Sequence, residues 1–316
     1  MDQCYLQTNS PLGFWSIRSR TEAKTEFRVY PNLFVDRKSL AALFLYRRLG
    51  IHTARQIGKG REFEQLREYQ TGDSFDDIHW KATAKRNFPV TKIYQIERTQ
   101  EVYVIIDHSR LSSRPASHTH ENNLPVSGAT ILERFVTSAL IMGLVVERQG
   151  DLFGLITFSD KVQAFVRAKS GKPHFNSCRD SLYTLEPRDI SPDFAELFTF
   201  IGTQLRRRAL LIILTCLDDP VLAEGFARSI NMISRKHLIL VNMPRPYQAR
   251  QLFSSSSLET TDELYQHLGG HIILRGLRKT EKALQSRGIG FSLLNSDKLS
   301  VQLVSQYLNI KQRQMI

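Results

Sequence analysis

Residues 101–109 read E-V-Y-V-I-I-D-H-S, and this stretch decides the fold class. Val102 to Ile106 form a continuous apolar run, which is typical of a strand buried on both faces. The run ends at Asp107, and Ala129 to Arg148 then follow as an amphipathic helix before a second apolar run at Leu152 to Phe158. A buried strand, a helix and a second buried strand form the unit from which parallel sheets are built.

The same alternation continues to the end of the chain. Helical patterns at residues 193–206, 221–235, 261–287 and 297–312 separate the later strands. The pattern predicts a doubly wound α/β domain, in which a six-stranded, mainly parallel sheet is covered by helices on both faces. The strands that the apolar runs identify are Val102–Ile106, Leu152–Phe158, Ala209–Leu214, His237–Val241 and Gly290–Leu293.

The first 100 residues have a different pattern, in which short β-like runs alternate with turns. Strand patterns occur at Gly13 to Ser19, Glu26 to Tyr30 and Pro89 to Glu97, and a helical pattern occurs at Arg37 to Leu49. We therefore predict two domains. A β-rich N-terminal region covers residues 1–100, and the α/β domain covers residues 101–316.

The composition indicates a folded, basic protein from a reducing compartment. Hydrophobic residues make up 41% and charged residues 23% of the 316 residues, which is too apolar for a disordered chain. The three cysteines show no C-x-x-C spacing, so a disulfide framework or zinc ribbon is not expected. The sequence shows neither a transmembrane run nor a secretory leader, and we expect a cytoplasmic location.

The sequence offers no recognisable catalytic motif. The first strand of the α/β domain does not run into G-x-G-x-x-G, and the chain lacks a phosphate-binding P-loop, a G-x-S-x-G elbow and H-E-x-x-H. We therefore predict that the protein is not an enzyme, and we name no catalytic residue.

Asp107 and Ser109 form D-x-S at a strand end, which resembles the start of the metal-ion-dependent adhesion site of von Willebrand factor A domains. The resemblance implies a von Willebrand A-like domain, whose full pattern is D-x-S-x-S with a later Thr and Asp. Ser191 could stand for the Thr, but Leu111 and Cys216 occupy two other ligand positions, and neither suits Mg²⁺. We expect a degenerate site that binds Mg²⁺ weakly or not at all, and otherwise no cofactor. The alternative is that Asp107 and Ser109 only satisfy backbone groups.

A longer motif lies in the first domain. Residues 60–86 read G-R-E-F-E-Q-L-R-E-Y-Q-T-G-D-S-F-D-D-I-H-W-K-A-T-A-K-R, which resembles the hallmark of the bacterial family called domain of unknown function 58. Asp76 and Lys85 replace arginines of the family pattern. The matching positions are Glu62, Phe63, Arg67, Glu68, Tyr69, Gly72, Asp73, Ile78, Trp80, Lys81 and Ala84.

The resemblance covers nearly the whole chain, because Ser10–Gly13, Val29–Pro31, Gly150–Ser159 and Arg207–Leu210 match the family in order. It implies an adaptor or co-chaperone that works with a MoxR-type AAA+ ATPase and other proteins, without a small-molecule substrate. Longer relatives carry two transmembrane helices before the S-P-L-G segment. The resemblance therefore implies a form without that anchor, and the cytoplasmic face of the membrane for anchored relatives.

The charged and aromatic residues of this motif have a physical interpretation of their own. Mixed charges surround two aromatic side chains, which suits an anchor between the two domains or a docking site for a partner. For an anchor, we expect Tyr69 and Trp80 to be buried and Arg67 to pair with Asp73 or another carboxylate. The candidate binding residues are Arg67, Glu68, Tyr69, Gly72, Asp73, Trp80 and Lys81.

The net charge supplies a second hypothesis for function. Lys and Arg exceed Asp and Glu by 12, and the pI is about 9.7, so an acidic partner is expected. We predict a protein-interaction module, with a nucleic-acid or anionic-surface binding protein as the alternative. Arg206 to Arg208 could contact phosphate, although cations are also favourable at the C-terminal end of a helix.

Overall fold

The computed structural model describes residues 3–22, 57–71, 73–95, 99–116, 129–246, 249 and 261–313. The strand predicted at residues 26–30 and the helix predicted at residues 37–49 lie outside the described residues, as does Gly72 of the motif.

The N-terminal region is β-rich, as predicted. Strands β1 (Gln3–Asn9) and β2 (Ser16–Glu22) form an antiparallel hairpin, and β3 (Ile57–Glu68) pairs antiparallel with β4 (Val90–Gln95). Helix α1 (Trp80–Arg86) lies between β3 and β4 in the chain. The strand predicted at residues 13–19 begins later, because residues 10–15 form the turn of the hairpin, with Gly13 at φ 72°.

The α/β domain contains a six-stranded sheet in the order β10-β9-β8-β5-β6-β7. Five strands are parallel, and β7 runs antiparallel at one edge, so the prediction of a mainly parallel sheet is confirmed. The strands are β5 (Glu101–Asp107), β6 (Leu152–Phe158), β7 (Val162–Lys169), β8 (Ala209–Leu214), β9 (Leu238–Pro244) and β10 (Gly290–Leu294).

Helices cover both faces of this sheet. They are α2 (Ile131–Arg148), α3 (Lys172–Tyr183), α4 (Phe194–Gln204), α5 (Pro220–Ser229), α6 (Asn231–Ser234), α7 (Thr261–Gln285) and α8 (Leu299–Gln312). Helix α2 begins with a complete capping box, in which Thr130 and Glu133 satisfy each other's backbone N–H groups.

The central strand β5 contributes alternate residues to two separate cores, which explains why its sequence is continuously apolar. Val104 and Ile106 face a core that includes Phe135 of α2 and Tyr307 of α8. Tyr103 and Ile105 face the opposite core, which includes side chains of α4 and α5. Because β5 places apolar side chains on both faces of the sheet, helices must cover both faces to bury them.

A buried carboxylate ties the last helix to the start of the sheet. Asp151, which directly precedes β6, is almost fully buried and accepts a hydrogen bond from the Tyr307 hydroxyl. Lys311 Nζ lies 2.8 Å from Asp151 Oδ2, and the backbone N–H of Gln100 donates to Asp151 Oδ1 at 3.3 Å. This cluster pairs a buried charge with a cation and with hydrogen-bond donors, as burial of a carboxylate requires.

Candidate functional site

The strand-end site predicted from D-x-S is centred on Asp107, at the carboxyl end of β5. Strand β8 lies next to β5 and runs parallel to it, so Thr215 comes to the same edge of the sheet. The Thr215 hydroxyl donates to Asp107 Oδ2 at 2.6 Å, and the backbone N–H of Ser109 donates to Oδ1 at 2.9 Å. Both carboxylate oxygens of Asp107 are therefore engaged within the protein.

The electrostatics of this site disfavour ionised groups. Burial raises the pKa of Asp107, and the hydrogen bonds from Thr215 and Ser109 offset only part of that rise. Burial also raises the pKa of the Cys216 thiol, and the nearby carboxylates of Asp107 and Asp218 raise it further. Cys216 is thus a neutral thiol, which is a poor ligand for a hard cation and a weak nucleophile.

The residues around Asp107 do not fit a divalent cation. The hydroxyl of Ser109 is buried close to Asp107 and could serve as one neutral ligand. The second carboxylate at this edge, Asp218, instead pairs with the Arg114 guanidinium at 2.5 Å. Within the described ranges, no group of three or more His, Cys, Asp or Glu side chains could hold a metal ion. One buried carboxylate with neutral hydroxyls gives little compensation for dehydrating Mg²⁺.

The structure explains why Leu111 stands at a ligand position of the adhesion pattern. Residues 110–113 form a short 3-10 helix, and Leu111 packs into the core on the α2 side of the sheet. Ser191 is exposed, on a loop that reaches this edge because the Arg110 N–H donates to the Ile190 carbonyl at 3.1 Å. The sequence offered Ser191 as the Thr of the adhesion pattern. The hydroxyl that contacts Asp107 in the structure belongs to Thr215, after β8.

The second candidate site is the motif segment between β3 and β4. The Arg67 guanidinium donates to both carboxylate oxygens of Asp73, at 2.8 and 2.9 Å, so the predicted Arg67–Asp73 pair is confirmed. Asp73 also accepts from the Gln70 N–H at 3.0 Å. The hydrogen bond from Gln70, together with the nearby guanidinium of Arg67, lowers the pKa of Asp73. Arg67 and Asp73 are six residues apart, so this ion pair forms within the motif segment and does not link two domains.

The prediction that Trp80 is buried is wrong. Its side chain is 68% exposed, Phe75 is 73% exposed, and Tyr69 is half-buried with its ring centroid 6.0 Å from that of Phe75. Trp80 is the first residue of α1, a helix of only seven residues, and the N-cap is supplied by His79, whose Nδ1 accepts from the Ala82 N–H at 3.0 Å. The Arg67–Asp73 pair and the His79 cap both form without the indole, so neither depends on burial of Trp80.

The remaining motif residues surround these rings on the surface. Glu68 and Lys81 are exposed, and Lys85 and Arg86 follow in the last turn of α1. The segment therefore presents large exposed aromatic rings beside charged side chains. The Arg67–Asp73 pair and the capped helix hold the backbone of this segment.

The strand order of the sheet, with antiparallel β7 at one edge and helices on both faces, gives residues 101–313 a von Willebrand factor A-like fold. The chain belongs to the family described as "Protein of unknown function DUF58", whose model matches residues 65–250. That range includes most of the motif segment, the Asp107 site and five of the six strands of the sheet.

Curated relatives include the uncharacterized proteins Mb1516 of Mycobacterium bovis and Rv1480 of Mycobacterium tuberculosis. Each is 22% identical over 193 residues, which cover 60% of this chain and 57% of the relative. The chain thus matches little more than half the length of these relatives.

The chain is also distantly similar to solved structures. An aerotolerance-related membrane protein from Bacteroides fragilis is 15% identical with a TM-score of 0.39, covering 66% of this chain and 98% of that chain. BatB from Bacteroides thetaiotaomicron is 14% identical with a TM-score of 0.40, covering 67% and 99%. The fold assignment rests on this chain's own strand order. In the part of the chain that the structure describes, no helix is long and apolar enough to span a membrane.

Proposed function

We propose that this protein is a non-enzymatic interaction module, an adaptor or co-chaperone that docks a MoxR-type AAA+ ATPase through the motif segment. The observation that carries the proposal is the exposure of Trp80 and Phe75 on a segment that is held by its own ion pair and cap. Tryptophan is among the residues most enriched in the energetic centres of protein interfaces.

The geometry of the segment supports docking because its binding groups are pre-organised. The ion pair between Arg67 and both carboxylate oxygens of Asp73 holds the chain at the end of β3. The half-buried Tyr69 ring lies next to the Phe75 ring. A surface already held in one conformation loses less conformational entropy on binding. The charged neighbours, Glu68 and Lys81, would form the polar rim that surrounds such aromatic centres.

The chemistry at the strand end supports a non-enzymatic role. A thiol such as Cys216 becomes a nucleophile when its pKa is lowered, and here burial raises the pKa. Asp107 is buried, and each of its carboxylate oxygens accepts a hydrogen bond, one from Thr215 and one from Ser109. This arrangement stabilises the loops at the strand ends.

The test is direct binding between the purified chain and the MoxR-type ATPase of the same organism, measured by biolayer interferometry. Trp80→Ala should weaken binding by about thirtyfold, corresponding to about 2 kcal/mol for a central aromatic residue. Tyr265→Ala is the matched control, because Tyr265 is an aromatic residue of equal exposure, 67%, on α7. It should change binding less than about twofold. Equal affinities of wild type and Trp80→Ala, or no binding by the wild type, would contradict the proposal.

The alternative function, binding of nucleic acid or an anionic surface, rests on the net charge of +12. It predicts an affinity that falls steeply with salt, because phosphate neutralisation releases counterions. Binding to a DNA duplex that is lost with rising salt and unaffected by Trp80→Ala would favour this alternative.

A further inference from the structure

A cavity of about 600 Å³ lies at the amino-terminal edge of the sheet, opposite the edge that carries Asp107. Its lining comes from three parts of the fold. Glu101 and Tyr103 belong to β5, Arg167 belongs to the edge strand β7, and Arg206 and Arg207 belong to the turn between α4 and β8. A volume of this size is within the usual range for small-molecule sites, about 300–1,000 Å³.

Positive charge dominates the lining of the cavity. All three arginines are exposed, and none of them forms an ion pair with a carboxylate of the described residues. Glu101 is the carboxylate among the lining residues, and it accepts a hydrogen bond from the Tyr103 hydroxyl at 3.3 Å. The guanidinium group presents planar, bidentate donors that match phosphate and carboxylate oxygens.

The dipole of helix α4 explains the positions of only two of the three arginines. Arg206 and Arg207 follow the C-terminal end of α4, where cations are favoured by the partial negative charge of the helix end. Arg167 comes from a different element, the strand β7, which the dipole of α4 does not explain. The convergence of arginines from two separate elements on one cavity is the observation that points to an anionic ligand.

The floor of the cavity is fixed by Tyr103. Its side chain is fully buried, and its hydroxyl accepts a hydrogen bond from the Ala168 N–H at 3.2 Å while donating to Glu101. Its ring centroid lies 6.2 Å from that of Phe165 in a stacked arrangement. Because Ala168 is adjacent to Arg167, the same hydrogen bond links the segment of β7 that carries this arginine to Tyr103 of β5, across the intervening strand β6.

We propose that this cavity binds a small phosphate ester, with Arg167, Arg206 and Arg207 holding the phosphate and Glu101 accepting a hydroxyl of the same molecule. A half-buried carboxylate that can accept from a hydroxyl, beside three arginines that can donate to phosphate, suits a phosphorylated sugar or nucleotide rather than a bare anion. The site is independent of the proposed docking surface, since the two share no residue.

The experiment is isothermal titration of the intact protein at low salt with ATP, inorganic pyrophosphate and citrate. ATP should bind saturably, and citrate, which carries less negative charge and lacks ribose hydroxyls for Glu101, should bind more weakly. Replacing Arg167, Arg206 and Arg207 together by glutamine should weaken ATP binding by more than about tenfold. Glu101→Ala should lower the affinity for ATP relative to that for pyrophosphate, because only ATP has hydroxyls from which Glu101 can accept, whereas loss of the negative charge acts on both anions.

The charge-matched control replaces three exposed arginines outside the cavity, Arg110, Arg188 and Arg228, by glutamine. This control should bind ATP within about twofold of wild type, as expected for sites whose charges are screened by solvent. Circular dichroism melting verifies that both triple variants fold. The proposal is overturned if no phosphate compound binds at millimolar concentration, if the control loses as much affinity, if citrate binds as tightly as ATP, or if only a DNA duplex binds at the three cavity arginines.

Discussion

The surroundings of Asp107 favour the protonated, neutral form of its carboxyl group over the ionised form. It lies almost completely out of solvent, and its two hydrogen bonds come from a hydroxyl and a backbone N–H rather than from a cation. Burial therefore dominates its titration and raises its pKa above the ordinary value of 3.8.

This raised pKa predicts a particular dependence of stability on pH. Because the folded-state pKa exceeds the unfolded one, the contribution of Asp107 is complete below about pH 3.8 and is lost as pH rises through the raised pKa. In Asp107→Asn this loss is absent. The free energy of unfolding of wild type minus that of Asp107→Asn should therefore decrease with rising pH across this window, as measured by urea denaturation followed by circular dichroism. A difference that stays constant or increases with pH would contradict this account.

At the scale of single elements, the strands illustrate what a sequence pattern can and cannot reveal. The bounds of β6 and β8 were predicted residue for residue, because both strands are buried on both faces and therefore continuously apolar. Strand β7 and helix α3 were missed. The edge strand β7 is mostly half-buried and lacks such a run, and α3 buries only Cys178 and Leu182.

The functional elements follow the same logic. The position of Asp107 could be predicted because a strand end is visible in the sequence, whereas Thr215 could be assigned to it only once β5 and β8 were known to be neighbours. The exposure of Trp80 could not be predicted, because a mixture of charges and aromatic residues is equally compatible with a buried anchor. The arginine cavity depends on the missed strand β7, which supplies Arg167.

The close packing of β5 against β6 gives a prediction for one glycine. A Cβ atom added to Gly154 would lie 2.4 Å from the Tyr103 ring, which is fully buried and cannot easily move. Gly154→Ala should therefore destabilise the protein by about 1–3 kcal/mol through overpacking.

The matched control is Gly202→Ala in α4, where no atom outside the local helix backbone and the two neighbouring residues lies within 4 Å of the added Cβ. There alanine should be neutral or stabilising by up to about 1 kcal/mol, because it favours the helix. Melting curves followed by circular dichroism distinguish the two variants. Equal melting temperatures for Gly154→Ala and wild type would show that the sheet can accommodate the methyl group.

For the molecule as a whole, the cluster around Asp151 connects segments that are far apart in sequence. Gln100 precedes the first strand of the sheet, Asp151 precedes β6, and Tyr307 and Lys311 lie on the last helix. Contacts of this long range form only when the complete α/β domain is assembled, so they contribute to the cooperativity of its unfolding.

Breaking this cluster should destabilise the complete domain. Tyr307→Phe removes a hydrogen bond to a buried carboxylate and should lower the free energy of unfolding by about 1.5–3 kcal/mol. Asp151→Ala should lower it by about 3 kcal/mol or more, because the other members of the cluster lose their partner. The control is Arg134→Ala, which breaks a surface pair with Asp297 at 3.3 Å and should cost less than about 1 kcal/mol. The measurement is urea denaturation of the three variants, and similar costs for all of them would refute a special role for Asp151.

The exposure of Trp80 also determines how the protein can be studied by fluorescence. The sequence contains two tryptophans, Trp15 and Trp80, and both are exposed to solvent, while residues 101–316 contain none. Indole emission should therefore already be red-shifted in the native protein and should change little when the sheet unfolds. A blue shift on mixing with another molecule would instead report the transfer of an indole from water to an interface, without any label.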